Sequence, residues 1–124
     1  MISGIHHAAF LTSDLDRSRA FYEGVLGLQP ASNRPQMSFE GVWYDIAPNQ
    51  QIHLMLLPNP EAGLQRPVHG GRDRHVALAV QDLERLRARL DAAGIVCTQS
   101  QSGRRALFCR DPDQNALEFI EAAR

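Results

Sequence analysis

HHAAFLTSDLDRSRAFYEGVLGL, running from His6 to Leu28, is echoed by RHVALAVQDLERLRARLDAAGI, running from Arg74 to Ile95. In both stretches a histidine opens an alternating run and an Asp-Leu pair follows seven residues later, at Asp14 after His7 and at Asp82 after His75. Such self-similarity is read before anything else, because it sets the architecture. After each Asp-Leu pair comes an amphipathic helix. Asp82 is its N-cap in the second copy, Leu83, Leu86, Leu90 and Ala93 share one face, and Gly94 supplies the left-handed stop. In the first copy Ser13 or Asp14 caps, Phe21, Tyr22, Val25 and Leu26 form the stripe, and Gly27 ends it.

Strand-like segments follow each helix. MSFEGVWYDIA and QIHLMLL flank Pro48-Asn49 in the first half, and RRALFCR and ALEFIE flank Asp111-Pro112-Asp113 in the second. A weaker strand is expected directly after each helix, at 28–32 and 95–99. The order is strand, helix, three strands, stated twice, which makes an α+β protein. The first module is read as residues 1–57, a Pro- and Gly-rich linker as 58–72, and the second module as 73–124. Modules of this size bury only part of their surface, so they are expected to pack with each other or with another chain.

The composition excludes several classes of function. In 124 residues, 44% are hydrophobic and the net charge is −1, with basic residues scattered, so the footprint of a nucleic-acid binder is missing. No apolar run approaches the length of a membrane span and no secretory leader is visible, which gives a cytoplasmic expectation. The two cysteines, Cys97 and Cys109, are read as reduced and packed in strands.

Side chains alternate along a strand, so His6 and His7 are expected on opposite faces, and the repeat selects His7 to share a face with Ala9 and Leu11. Its counterpart His75 shares one with Ala77 and Ala79. The last strand of each half adds a second equivalent pair, His53 in QIHLML and Glu118 in ALEFIE. Glu118 stands among Leu117, Phe119 and Ile120, where a buried carboxylate is costly unless something cationic meets it. Three imidazoles and one carboxylate at the equivalent positions of a doubled unit point to a shared metal centre. His69, in the linker, is expected to face solvent.

These stretches, with CRDPDQNALEFIE, resemble the vicinal oxygen chelate superfamily, which includes glyoxalase I, extradiol dioxygenases, and fosfomycin- and bleomycin-resistance proteins. The resemblance spans nearly the whole chain. It implies paired βαβββ modules with curved mixed sheets, and metal ligands at His7, His75 and Glu118 with His53 at the fourth position. Glyoxalase I has glutamate where His53 stands, and Gln114 replaces the usual glycine of the final turn, which is therefore expected to differ in shape. The implied cofactor is a divalent ion, Fe, Mn, Ni, Co or Zn, and the absence of thiolate ligands argues against a closed structural zinc site.

With all four ligands bound, two adjacent positions remain for a small substrate's neighbouring oxygens, which suits a lyase or isomerase with Glu118 moving the proton. With His53 off the metal, a two-histidine, one-carboxylate triad remains, which suits a dioxygenase or a thiol transferase. A small-molecule-sequestering protein is the non-enzymatic alternative. Arg72, Arg74, Arg104 and Arg105 are candidate anion contacts and Trp43 a candidate pocket wall. By resemblance the working unit is a homodimer whose sites join His7 and His53 of one chain to His75 and Glu118 of its partner.

Overall fold

The computed structural model describes residues 1–122. The chain divides into two compact units, Met1–Ala62 and Gly63–Arg124. Each is a four-stranded mixed sheet with helical structure on one face.

In the first unit, β1 (His7–Thr12) is followed by α1 (Leu15–Arg19), β2 (Gln29–Pro30), β3 (Gly41–Ala47) and β4 (Gln50–Leu56), and the sheet order is β1-β4-β3-β2. The β1–β4 pair is parallel and the others antiparallel. Asp14 caps α1 by accepting from the Arg17 N–H, as the Asp-Leu signal predicts. The helix does not continue regularly. From Ala20 to Val25 it widens into π-helical turns, where the Leu26 N–H reaches the Phe21 carbonyl, before Gly27 leaves at φ +77°. Phe21 and Tyr22 become adjacent buried anchors. Tyr22 stacks on Tyr44 and Phe10, over a core completed by Val42, Ile52 and Leu54. Thr12 and Ser18, both buried, share a 2.6 Å hydroxyl hydrogen bond, so no polar atom there is stranded.

The second unit repeats the scheme with β5 (His75–Val80), α2 (Leu83–Ala92), β6 (Thr98–Gln99), β7 (Ala106–Arg110) and β8 (Ala116–Glu121), ordered β5-β8-β7-β6. Asp82 caps α2, and Gly94 takes φ +72° beyond its end. Leu83 and Leu90 are buried against the sheet; full burial of a leucine is worth roughly 1.5–3 kcal/mol. In the turn before β8, Asp111 accepts from the backbone N–H groups of Asp113 and Asn115. Gln114 occupies the glycine-like region at φ +72°, a left-handed backbone that is strained for a residue with a side chain.

Two expectations are corrected. His69 caps a short 3-10 turn (Gly70–Arg72) through its Nδ1 and packs edge-on against Phe108, so it is half-buried. His6 immediately precedes β1, and its carbonyl accepts from the Gln51 N–H. It sits beside His7, their Nδ1 atoms 2.9 Å apart, rather than opposite it. Among the described residues no helix is long and apolar enough to cross a membrane.

Candidate metal centre

Strand register puts the four sequence-selected ligands in equivalent places. In the first sheet His53 is paired with Ala9 on one side and Trp43 on the other. In the second, Glu118 is paired with Ala77 and Phe108. Paired residues share a face, as do positions two apart, so His7, His53 and Trp43 lie on the helix-free face of one sheet and His75, Glu118 and Phe108 on that of the other. Ala9, Ala77 and Ala79 are exposed on these faces, and their small side chains keep them open.

Glu118 is 3% exposed. Its Oε1 lies 3.2 Å from His75 Nε2, and its Oε2 is buried without a hydrogen-bond donor, although Arg104 Nη2 approaches to 3.5 Å. His75 Nδ1 is 2.8 Å from the Asp73 carbonyl oxygen, which can only accept, so Nδ1 carries the hydrogen. Nε2 is the ring atom left facing the carboxylate. A ring nitrogen and a carboxylate oxygen 3.2 Å apart, beside a second carboxylate oxygen without a hydrogen-bond partner, make a place for a cation, whether a proton on the ring or a metal ion. This is the arrangement expected of histidine–carboxylate metal ligands whose outer ring nitrogen is held by a carbonyl.

In the first unit His53 is sandwiched. Trp43 stacks on one side at 3.9 Å between ring centroids and His7 on the other at 4.0 Å. Burial, and next the His7 charge, push the His53 pKa down to about 4, so the ring is neutral near pH 7, as a ligand must be. The His7 and His53 planes are only 17° from parallel, so one ion cannot lie in both planes until one ring turns. His7 is exposed and is the ring with room to do so. Among the described residues no group of three or more His, Cys, Asp or Glu side chains converges. Each unit carries one pair of donors. The donor types and the orphaned oxygen of Glu118 fit a divalent metal.

The candidate anion contacts separate. Arg104 stands by Glu118, whereas Arg105 pairs with Glu121, which also accepts from the Leu83 N–H, on the helix-bearing face. Strand alternation between Glu118 and Glu121 is the reason Arg105 is drawn away. Arg72 and Arg74 are exposed on either side of Asp73, whose carboxylate is held by Arg66 and Arg110. The buried Cys109 thiol has its pKa pushed up to about 12 by burial, and Cys97 is also raised, so neither is an activated nucleophile.

Sequence reasoning missed Gln51, Asp45, Asn33 and Arg34. Gln51 is 8% exposed and its Oε1 lies 2.9 Å from His53 Nε2. Arg34 donates to the Phe39 carbonyl and packs against Gly41, where an added Cβ would clash with the Leu54 carbonyl oxygen. The positive charge of Arg34 also disfavours protonation of His53. Only the alternation that puts Asp45, Gln51 and His53 on one face offered a signal for them.

Two modules of strand, helix and three strands, each carrying a histidine on its first strand and a histidine or glutamate on its last, define a glyoxalase-like protein. A family model described as the Glyoxalase/Bleomycin resistance protein/Dioxygenase superfamily matches residues 4–119, and the chain belongs to that superfamily. It is 32% identical over 127 residues to the uncharacterized protein YwkD of Bacillus subtilis, covering 98% of both chains. In fold it is similar to a variant of the fosfomycin resistance protein FosX from Listeria monocytogenes, complexed with Mn(II) and 1S,2S-dihydroxypropylphosphonic acid. The TM-score is 0.76 at 20% identity, covering 99% of this chain and 95% of that one. It is also similar to TnmS3, an antibiotic binding protein from a Streptomyces species, with TM-score 0.74 at 18% identity and 98% of each chain covered.

Proposed function

We propose that this chain is a metal-dependent enzyme of the lyase or isomerase type, acting on a small substrate that offers neighbouring oxygens to a divalent ion held by His7, His53, His75 and Glu118. The observation that supports it most is Glu118, a buried carboxylate with one oxygen 3.2 Å from a histidine nitrogen and the other without a hydrogen-bond donor. A bound divalent ion (Fe, Mn, Ni, Co or Zn) supplies Lewis acidity toward a substrate carbonyl. Glu118 Oε2, not engaged in a hydrogen bond, is the atom that takes up and returns the proton. Trp43 and Phe108 wall the two open faces. Arg104, exposed beside Glu118, is placed to pair with an anionic group of the substrate.

Because each module carries two donors, the full set is proposed to form in a homodimer, His7 and His53 of one chain with the partner's His75 and Glu118. A second reading has one specific observation in its favour. The near-parallel stack of His53 on His7 suits a site in which His53 stays off the metal, leaving a triad of the oxygenase kind.

Elemental analysis of purified protein, followed by reloading of metal-free protein with Fe(II), Mn(II) and Ni(II), tests the proposal. One ion per chain is expected, lost in His75→Ala and Glu118→Ala. Retention by His53→Ala with loss in the other variants selects the triad. No metal in the wild type after reloading, or undiminished metal in every variant, overturns both readings.

A further inference from the structure

We infer that Gln51 is a positioning residue that locks His53 in its Nε2–H tautomer, so that Nδ1 is the ring's only donor atom; as a statement about a metal ligand this rests on the function proposed above. The Gln51 amide nitrogen donates to Asp45 Oδ1 at 2.9 Å and to Asn33 Oδ1 at 3.0 Å. Both amide hydrogens are thereby used, and the acceptor-only carboxylate of Asp45 fixes which end of the amide is nitrogen. The other end, Oε1, is therefore the atom 2.9 Å from His53 Nε2. A carbonyl oxygen only accepts, so Nε2 donates and Nδ1 keeps the lone pair.

The clamp comes from strand geometry. Gln51 faces Asp45 across the β3–β4 ladder and lies two residues before His53, so the three side chains share a face. Asn33, from the segment between β2 and β3, closes the other side. Turning the ring over would break the bond to Gln51 between two aromatic neighbours packed at 3.9 and 4.0 Å. The second module has no counterpart. Ala116 is paired with His75 as Gln51 is with His7, and Arg110 stands where Asp45 does. The ring of His75 is held in the opposite tautomer by the Asp73 carbonyl.

Long-range proton–nitrogen NMR correlations on metal-free protein, labelled at histidine nitrogen and assigned with His53→Gln, read the tautomers directly. The expected result is Nε2–H at His53 and Nδ1–H at His75. In Gln51→Leu the His53 signals should shift to a tautomer mixture, and Gln51→Glu, which keeps an acceptor, should restore Nε2–H. Titration with Zn(II) alone should show Gln51→Leu weakened by roughly 10- to 100-fold, with recovery in Gln51→Glu. An Nδ1–H signal at His53 in the wild type, or an unchanged tautomer in Gln51→Leu, overturns the inference. If Gln51→Leu does not fold, the wild-type spectrum still decides. If the wild type binds no metal, the proposed function fails while the tautomer measurement stands apart from it.

Discussion

The imidazole of His53 lies flat on the indole of Trp43, with ring centroids 3.9 Å apart and planes within 3° of each other. Trp43 is the single tryptophan of the chain, so its fluorescence reports on the candidate site. Zn(II), which has no redox chemistry, should change the emission of metal-free protein when His53 coordinates. His53→Ala should abolish that change. An equal response in His53→Ala would place metal binding away from this stack.

Glu118 is buried with one carboxylate oxygen that has no hydrogen-bond partner. Glu118→Gln keeps the volume, removes the charge and supplies an amide N–H able to donate to the His75 Nε2 lone pair. The metal-free variant should melt at or above the wild type, by about 1 kcal/mol, since replacing a buried charge is often stabilising. Wild type should gain about 2.7 kcal/mol in metal at a hundred times its Kd, and the variant nothing. Thermal melts with and without Zn(II) check both halves of the prediction.

The proposed sharing of ligands between two chains has its own signature. Mixing His7→Ala and Glu118→Ala chains under conditions of subunit exchange should regenerate metal binding, because one of the two sites in each heterodimer would be intact. Exchange without recovery, measured by equilibrium dialysis, would count against ligands drawn from two chains.

On the opposite face of the first sheet, the Tyr44 hydroxyl donates to Glu23 Oε2 at 2.8 Å, and Arg19 donates to the same oxygen at 2.6 Å. The Arg19 hydrogen bond first, and then that of Tyr44, hold the Glu23 carboxyl below its ordinary pKa. A depressed carboxylate pKa contributes stability above the unfolded value and loses it as pH falls through the folded value. The stability difference between wild type and Glu23→Gln should therefore be largest near pH 7 and shrink below roughly pH 4. Tyr44→Phe should cost about 1–2 kcal/mol at neutral pH. Denaturant melts across a pH series measure both.

Gln114 holds φ +72° in the turn before β8, where its carbonyl accepts from Arg110 Nη1. A left-handed backbone costs a non-glycine residue roughly 1–2 kcal/mol, part of which glycine returns as unfolded-state entropy. Gln114→Gly should stabilise by about 0.5–1 kcal/mol in chemical unfolding. A destabilised variant would mean that the glutamine side chain contributes more than the backbone strain costs.

The repeat, the Asp14 and Asp82 caps and the alternation of both last strands are local patterns, so the α+β order and the equivalence of His7 with His75 and of His53 with Glu118 were legible in the sequence. Propensity and periodicity act over a few residues, and the chain states them twice. Three features needed the folded sheet. The π-helical widening at Ala20–Val25 accompanies the burial of the neighbouring Phe21 and Tyr22, with Tyr22 stacked on Tyr44, and is invisible to a 3.6-residue period. The division of Arg104 from Arg105 is set by which face of β8 presents Glu118 and which Glu121. The clamp of Asp45 and Asn33 on Gln51, and of Gln51 on His53, joins residues from β3, β4 and the segment after β2. Hydrogen bonds of that kind depend on cross-strand register, and register is fixed only when the strands pair.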